Sequence, residues 1–595
     1  METSVRQQEN QPLLLPSVAG DQQSHQIKSN QCLKDVCLPS KAAALLVCLA
    51  VVIGALHAVF TCLLVARGVY FVGGKYINQS AAICLSYLGM SMAVFVYPAS
   101  GFVADVRFGR YRVLRVSMCL IAVSLVFILG CTAVVLVDPY AVFSPWSHLK
   151  TSCFLVFTAL LTAFFGIGWI IYYSNFIQFG LDQLMDAPSE YLNLFVHWIM
   201  WADSLGFAVV MPLAASLLCR NVIIAWLTSG ILVICSFLLI ILLIIIFCNR
   251  RWFYTEPGQG NPYKSVTEVL AFAWKHKYPL RRSAFTYCDD EIPSRLDFCK
   301  EMYGGPYSTE QVEDVKTLLK IVLVLLAIGS VYVLNVSNEL YGLPLIGVHI
   351  AQKGVHFCNL RFILLESGAL KYMTSAIAFP IYIAVMFSFL KMKRPSILTR
   401  LGIGMFLFLA GVLIILITDV VGHIHAQFEG HPNSSSLCMF AMHFDKQHFS
   451  PHLPSLEMHW ASLVPINLLL GIGPLLVLTT VFEFIAAQSP HSMKGLVVGL
   501  FFVISGFFQL SSSFVLLPFS LKDIWQSEYV EEHSQVTNCG FGYFLSICVV
   551  ATVGLVVFLV VAKKYKCRER GDRPFDHRFA EAYYDQVISC RGIQD

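Results

Sequence analysis

Four ionisable residues stand inside apolar stretches, where hydrocarbon around a charge is untenable, so each needs a partner, a cavity or a task. Glu483 follows about 22 mostly apolar residues, Asp203 lies in the middle of the stretch 190–218 with His197 six positions before it, and His57 falls within 43–66. Asn193, His197 and Trp201 recur at i, i+4 and i+8, which puts them on one face of a helix. That polar-aromatic stripe can line a pathway, and an imidazole titrating near neutrality can carry a proton. The competing readings are structural: a membrane histidine packed into the core, Asp203 paired with a neighbour, Glu483 near a helix end as partner of a basic loop. A second cluster reads Gly101-Phe-Val-Ala-Asp105-Val-Arg107-Phe-Gly109-Arg110-Tyr-Arg112. Gly109 suits a tight turn, and Asp105 can accept from an arginine or from a neighbouring helix N-terminus. Such a charge cluster can lock one end of a rocking membrane protein; the plainer reading is a basic loop that only orients the chain.

Other chemistries find little support. The 19 cysteines contain no CxxC pair, which argues against a zinc or redox site. Seven of the 17 histidines (His423, His425, His431, His443, His448, His452 and His459) crowd one loop without ligand spacing. They read as a solvated surface that becomes cationic in an acidic compartment. No intramembrane nucleophile–base pair occurs, so no catalytic residue, metal or cofactor is assigned. Cys438 and Cys539 fall on the same side as that loop, where a disulfide is one option.

The elements that hold these residues follow from composition. Of 595 residues 57% are hydrophobic and only 13% charged, about half the usual charged share, which excludes a soluble globular protein. A net charge of +4 excludes the basic excess of a nucleic-acid binder. Twelve apolar segments are long enough to span a bilayer, which takes roughly 20 residues: 43–66, 81–104, 113–137, 153–178, 190–218, 222–248, 317–337, 371–390, 401–421, 461–487, 495–520 and 541–562. With an inside N-terminus, 32 of the 41 Lys and Arg fall on the inner side, as the positive-inside rule requires, and both termini are cytoplasmic. Sequons at Asn78 and Asn433 fall outside, while Asn335 lies too near the end of its span to count as an acceptor.

The expected fold is therefore all-α, with twelve transmembrane helices in two six-helix halves. Its parts are a disordered tail 1–42, an N-terminal half 43–248, a cytoplasmic linker 249–316, a C-terminal half 317–562 with outer loops 338–370 and 422–460, and a basic tail 563–595. In the linker Val266, Val269, Leu270 and Ala273 have helical spacing, predicting a helix along the membrane face. Ser308 and Gln311 form a capping box after Gly304-Gly305-Pro306, opening a helix that runs into span seven.

The loop after span two is similar to the major-facilitator signature, and three further stretches narrow the resemblance. Ser174-Asn175-Phe-Ile-Gln-Phe179-Gly180-Leu-Asp182-Gln183 resembles an FGxDQ block. Arg295-Leu296-Asp297 with Gln311-Val312-Glu313-Asp314-Val315-Lys316 resembles RxLD and QVEEVK. Glu483-Phe484-Ile-Ala-Ala-Gln488-Ser489-Pro490-His-Ser492-Met493-Lys494-Gly495 resembles EFxxxQxPxSMKG. Together they resemble the proton-coupled oligopeptide transporter (POT/PTR) family from about residue 42 to 565, with Ser174-Asn175 and the Gly499–Gly506 run most similar to its peptide/histidine branch. The resemblance implies a major-facilitator fold and alternating-access transport of small peptides or amino acids such as histidine. It also implies that Glu483 faces the central cavity and anchors a substrate amine, with Tyr173, Asn175, His197 and Trp201 as further substrate-binding candidates.

The departures concern coupling. The family's ExxER motif aligns with Cys48, Val51 and Val52, and its span-four base aligns with Tyr173. Span five lacks the Asn-x-Gly pair, reading His197-Trp198-Ile-Met200-Trp201-Ala202-Asp203. If protons are coupled, the carriers are Glu483, Asp203 and His197. The alternative is a pseudo-transporter, a membrane receptor or scaffold that has lost coupling. In the N-terminal tail Glu9-Asn10-Gln11-Pro12-Leu13-Leu14 fits an acidic dileucine signal, implying a clathrin adaptor as partner and an endolysosomal membrane over the plasma membrane. The other expected partners are a small-molecule substrate, protons and the lipid bilayer, with no nucleic acid.

Overall fold

The computed structural model describes residues 40–73, 97–137, 148–184, 189–216, 222–255, 261–278, 294–337, 369–389, 395–428, 463–490, 493–521 and 540–565. The dileucine residues Glu9, Leu13 and Leu14, the sequons Asn78 and Asn433, Cys438 and Cys539, the histidine-rich loop beyond its first residues, and most of span two lie outside the described residues.

Apolar composition on every side of a segment demands helices, because in a bilayer each backbone polar group must be satisfied within its own element. In chain order the helices are α1 Lys41–Gly73, α2 (helical residues 97–103 running into a π-helical turn Ala104–Phe108), α3 Arg110–Val137, α4 His148–Asp182, α5 Ser189–Ser216 and α6 Val222–Cys248. The linker helix α7 Pro262–Lys275 follows, then α8 Thr309–Ala327, α9 Gly329–Ser337, α10 Ala369–Ala384, α11 Ile397–Phe428, α12 Leu463–Gln488, α13 Lys494–Leu521 and α14 Gly540–Lys564. Nine helices among the described residues are long and apolar enough to cross a membrane. Their outer faces carry exposed branched residues, such as Ile234, Phe237 and Ile244 on α6 and Val549, Val553 and Val560 on α14, as lipid contact requires.

Within the first half α1 packs on α5 and α3 on α4; within the second, α11 packs on α12 and α14, and α9 on α13. Across the halves α5 packs on α10 and α12, and α4 on α13. The α1–α5 seam is backbone to backbone: a Cβ at Gly206 would lie 2.5 Å from Ala55 N and Val51 O. Small residues allow this approach, which is how helices associate where hydrophobic force is absent.

The single helix expected for span seven is two: α8 ends at Ala327, Ile328 makes the joint, and α9 resumes at Gly329, where a Cβ would run into the Phe508 ring. The Ser308–Gln311 capping box opens α8, with both hydrogen bonds at 3.2 Å. The linker helix forms where expected, with three of the four expected apolar residues buried and Leu270 exposed. Asn261 caps it by accepting from Lys264 N–H, Pro262 occupies the first turn, and Val266, Val269 and Ala273 are buried. That face packs on the turn Asp297–Cys299 and the start of α8, with Phe272 edge-on to Tyr307, so its apolar burial is against protein and not along a bilayer. The turn is held by charges. Asp297 accepts from Ser294 Oγ at 2.6 Å and pairs with Lys300 at 2.7 Å and with Lys316, while Glu313 pairs with Lys300 at 2.5 Å and Lys316 at 3.1 Å. Partial burial works upward on Asp297, but the hydrogen bonds from Lys300, Lys316 and Ser294 outweigh it and hold the carboxyl well below the usual carboxylate range.

Candidate functional site

The signature loop is built by its turn. The π-helical turn Ala104–Phe108 ends at Gly109, whose φ of 77° is open to glycine at no steric cost, and α3 starts at the next residue. Arg110 is thereby set between two carboxylates: Nε donates to Asp105 Oδ1 at 2.8 Å and Nη1 to Asp182 Oδ2 at 2.6 Å, at the end of α4. Gln178 Nε2 donates to the other oxygen of Asp182 at 3.4 Å. The second Asp105 oxygen abuts Gly495 in the first turn of α13; a Cβ there would lie 1.6 Å from it. A carboxylate at a helix N-terminus meets unsatisfied N–H groups and the positive end of the helix dipole. The first half thus sets a carboxylate against a helix terminus of the second. Gly101 lines the small space beside this cluster with Tyr97, Val498 and Phe502, whereas Arg107 is exposed and outside it.

Asn175 joins the same end of the bundle. It is buried, and its Nδ2 donates to Ser100 Oγ and Ile171 O, both at 2.9 Å, tying α4 to α2. Asn175, one of the substrate-binding candidates, thus stands at the signature-loop end of the bundle. The Asn193–His197–Trp201 stripe faces α10 and not an open path. Trp201 Nε1 donates to Ala376 O at 2.9 Å, a hydrogen bond between the halves. His197 is 0% exposed, with Nδ1 at 2.7 Å from Asn193 O and its ring stacked on Phe379 and Tyr382 and edge-on to Phe387.

Glu483 is 3% exposed and both of its oxygens are taken: Arg400 Nη1 donates to Oε2 at 2.7 Å and Nη2 to Oε1 at 2.6 Å. An amine reaches this carboxylate only by displacing a bidentate guanidinium, so in this conformation Glu483 is the half of a buried ion pair and not a free anchor. Arg400, assigned by sequence to the loop 391–400, is in fact in the first turn of α11 and buried.

Asp203 and Tyr173 lie in the same part of the bundle. Asp203 sits where α5 touches α1, its Oδ1 3.0 Å from the position a Cβ on Gly54 would take, and its charge reaches Tyr172 and Tyr173 of α4. Tyr173 stacks on Trp169 at 5.4 Å between centroids, and His57 tilts onto the other partner surface of Trp169 at 3.9 Å. Three further ionisable or polar groups buried in spans escaped the sequence reading: Lys371 in α10, Asp419 in α11 and Asn467 in α12. Lys371 and Asp419 stand near span ends, where a charge reads as a boundary marker, and nothing local distinguishes a buried one.

No protein-family model matches the chain. It is 24% identical over 530 residues to solute carrier family 15 member 3 of Mus musculus, covering 83% of this chain and 86% of that protein. It is 22% identical over 555 residues to Protein NRT1/PTR FAMILY 6.4 of Arabidopsis thaliana, covering 84% of each. Among solved structures, the POT family transporter PepTSo matches with a TM-score of 0.55 at 16% identity, over 88% of this chain and 98% of that one. An auto-inhibited POT family peptide transporter matches with a TM-score of 0.53 at 16% identity, over 89% and 98%. These likenesses run nearly end to end on a multi-pass helical membrane protein, and its fold is that of the solved POT family transporters.

Proposed function

We propose that this protein is a secondary active transporter, not an enzyme, that moves small peptides or amino acids of the histidine type by alternating access, in symport with protons. The observation that carries the reading is the Asp105–Arg110–Asp182 cluster seated on the first turn of α13. It sets a carboxylate of the first half against a helix terminus of the second, an arrangement that a rocking carrier can use to close that end in one state and release it in the other. The relatives support it in kind: one is a solute carrier and the matched structures are peptide transporters.

In this reading the signature loop is cytoplasmic, both termini are inside, and the chain crosses the membrane twelve times. Glu483 freed from Arg400, Asp203 and His197 are the proton carriers. Glu9, Leu13 and Leu14 route the protein to endolysosomes through a clathrin adaptor, and Asn78 and Asn433 carry glycans on the luminal side. The test replaces Leu13 and Leu14 by Ala to bring the protein to the cell surface. Uptake of labelled histidine and dipeptides is then measured with and without an inward proton gradient. Saturable, gradient-dependent uptake is expected; no uptake at proven surface expression replaces the reading by a non-transporting receptor or scaffold, the alternative that the lost ExxER positions Cys48, Val51 and Val52 favour.

A further inference from the structure

A second carboxylate inside the spans is Asp203. It lies about 14 residues, or roughly 21 Å of helix rise, from the start of α5 at Ser189, near the middle of the bundle. One side of it abuts the α1 backbone at Gly54, and the tyrosines of α4 lie within reach of its charge. Its side chain nevertheless keeps partial exposure, and exposure in such a place is to a space inside the bundle. Among the described residues Asp203 makes no hydrogen bond and no ion pair. A carboxylate left so is expensive by several kcal/mol unless water, a proton or a cation completes it. Contrast Glu483, held by both guanidinium nitrogens of Arg400.

What surrounds Asp203 specifies the cation. Trp169 is in contact with Tyr172 at 5.8 Å and with Tyr173 at 5.4 Å, and Tyr97 closes on Tyr173 at 6.1 Å. His57 covers Trp169 from α1, and Phe207, one turn along α5 from Asp203, stacks on Tyr372 of α10 at 4.8 Å. Ring faces attract a cation within about 6 Å of their centroids, most strongly for tryptophan and when water is excluded. A small inorganic ion prefers a cage of oxygens; a wall of rings with a single carboxylate fits an organic ammonium group, whose charge is spread and whose carbon skeleton needs apolar cover. The nearest buried lysine, Lys371, is turned to its neighbour Tyr372, with Nζ 5.6 Å from that ring, beyond the Phe207–Tyr372 pair.

We propose that Asp203, Trp169, Tyr172 and Tyr173 form a binding site for the ammonium group of an organic amine, and that this site, not Glu483, anchors the transported solute. It rests on the transport reading for its role but not for its existence, which a binding measurement tests alone. The full-length protein in lipid nanodiscs is titrated with three probes that share one skeleton: L-phenylalanine amide, a cation; L-phenylalanine, a zwitterion; and N-acetyl-L-phenylalanine, an anion. Saturable binding of the amide and no binding of the N-acetyl acid are expected. Asp203→Asn should weaken the amide at least tenfold, Trp169→Leu severalfold, and Asp203→Glu should retain most of it. If Asp203→Asn fails to fold, carbodiimide labelling of Asp203 in the unaltered protein, read by mass spectrometry, should be blocked by the amide and not by the N-acetyl acid. Equal binding of cation and anion, unchanged amide affinity in Asp203→Asn, labelling that the amide leaves untouched, or no amide binding at all overturns the inference. Amide binding lost with Asp203 in a protein that moves nothing across a membrane upholds the site and removes the transport reading. Uptake that survives Asp203→Asn does the reverse.

Discussion

Glu483 and Asp203 are both carboxylates inside apolar helices, and what separates them is a single guanidinium. Glu483 is matched by Arg400 in a fork-to-fork pair with side-chain exposures of 3% and 8%. Removing one member of such a pair strands the other charge, at a cost of roughly 3–5 kcal/mol, whereas removing both can be close to neutral. Glu483→Gln is therefore expected to lower the melting temperature of the detergent-solubilised protein sharply, and Glu483→Gln combined with Arg400→Gln to recover most of the loss. If the double variant melts as low as the sum of the single ones, the two residues do not act as a pair. The depth and type of Glu483 were readable from the chain. Its partner was not, because Arg400 closes a run of loop cations, Lys391, Lys393 and Arg394, and the positive-inside pattern explains all four equally well. The Asp203 position was legible for the opposite reason: an aspartate amid apolar residues has no bland local explanation, although the rings of α4 that surround it come from 30 residues upstream and only the fold brings them together.

Among the elements, the linker followed its local signals more faithfully than the spans did. Cap residues and helical spacing are short-range physics, so α7 and the capping box of α8 form where the sequence expects them. Which way the apolar face of α7 turns is long-range, set by the Asp297 turn that packs against it. That turn carries a prediction. The carboxyl of Asp297 is held below its ordinary value, so its stabilisation is present above the unfolded carboxylate value of about 3.9 and is lost only as the pH falls through the lower folded value. Asp297→Asn should lower thermal stability by the same amount at pH 7 and pH 5, with the difference from the unaltered protein shrinking below about pH 4. A difference already gone at pH 5 would contradict the clamp formed by Lys300 and Lys316.

At the level of the whole molecule, the halves meet through unlike contacts: an ion cluster on a helix terminus at the signature-loop end, and deeper in the bundle an aromatic seam with an indole hydrogen bond from Trp201 to Ala376 O. The ion cluster is the contact that a small change can release, and about 1.4 kcal/mol lost from it shifts the balance between closed and open tenfold. Gly495 is the sensitive position. A methyl group there collides with the Asp105 carboxylate, and since α13 cannot yield its backbone the carboxylate must leave the helix terminus. Gly495→Ala is accordingly expected to open this end without unfolding either half. The measurement uses a cysteine at Val498, which is buried one turn along α13 beside the cluster and lines the same space. In Val498→Cys alone a membrane-impermeant maleimide added from the signature-loop side should react slowly; adding Gly495→Ala should speed it at least tenfold, with the melting temperature little changed. Asp105→Asn should act in the same direction, because it removes the charge that the helix terminus attracts while keeping the volume. Equal labelling rates in all three proteins would mean that the cluster braces the loop and has no part in opening, and the rocking motion would then have to be sought at the α5–α10 seam.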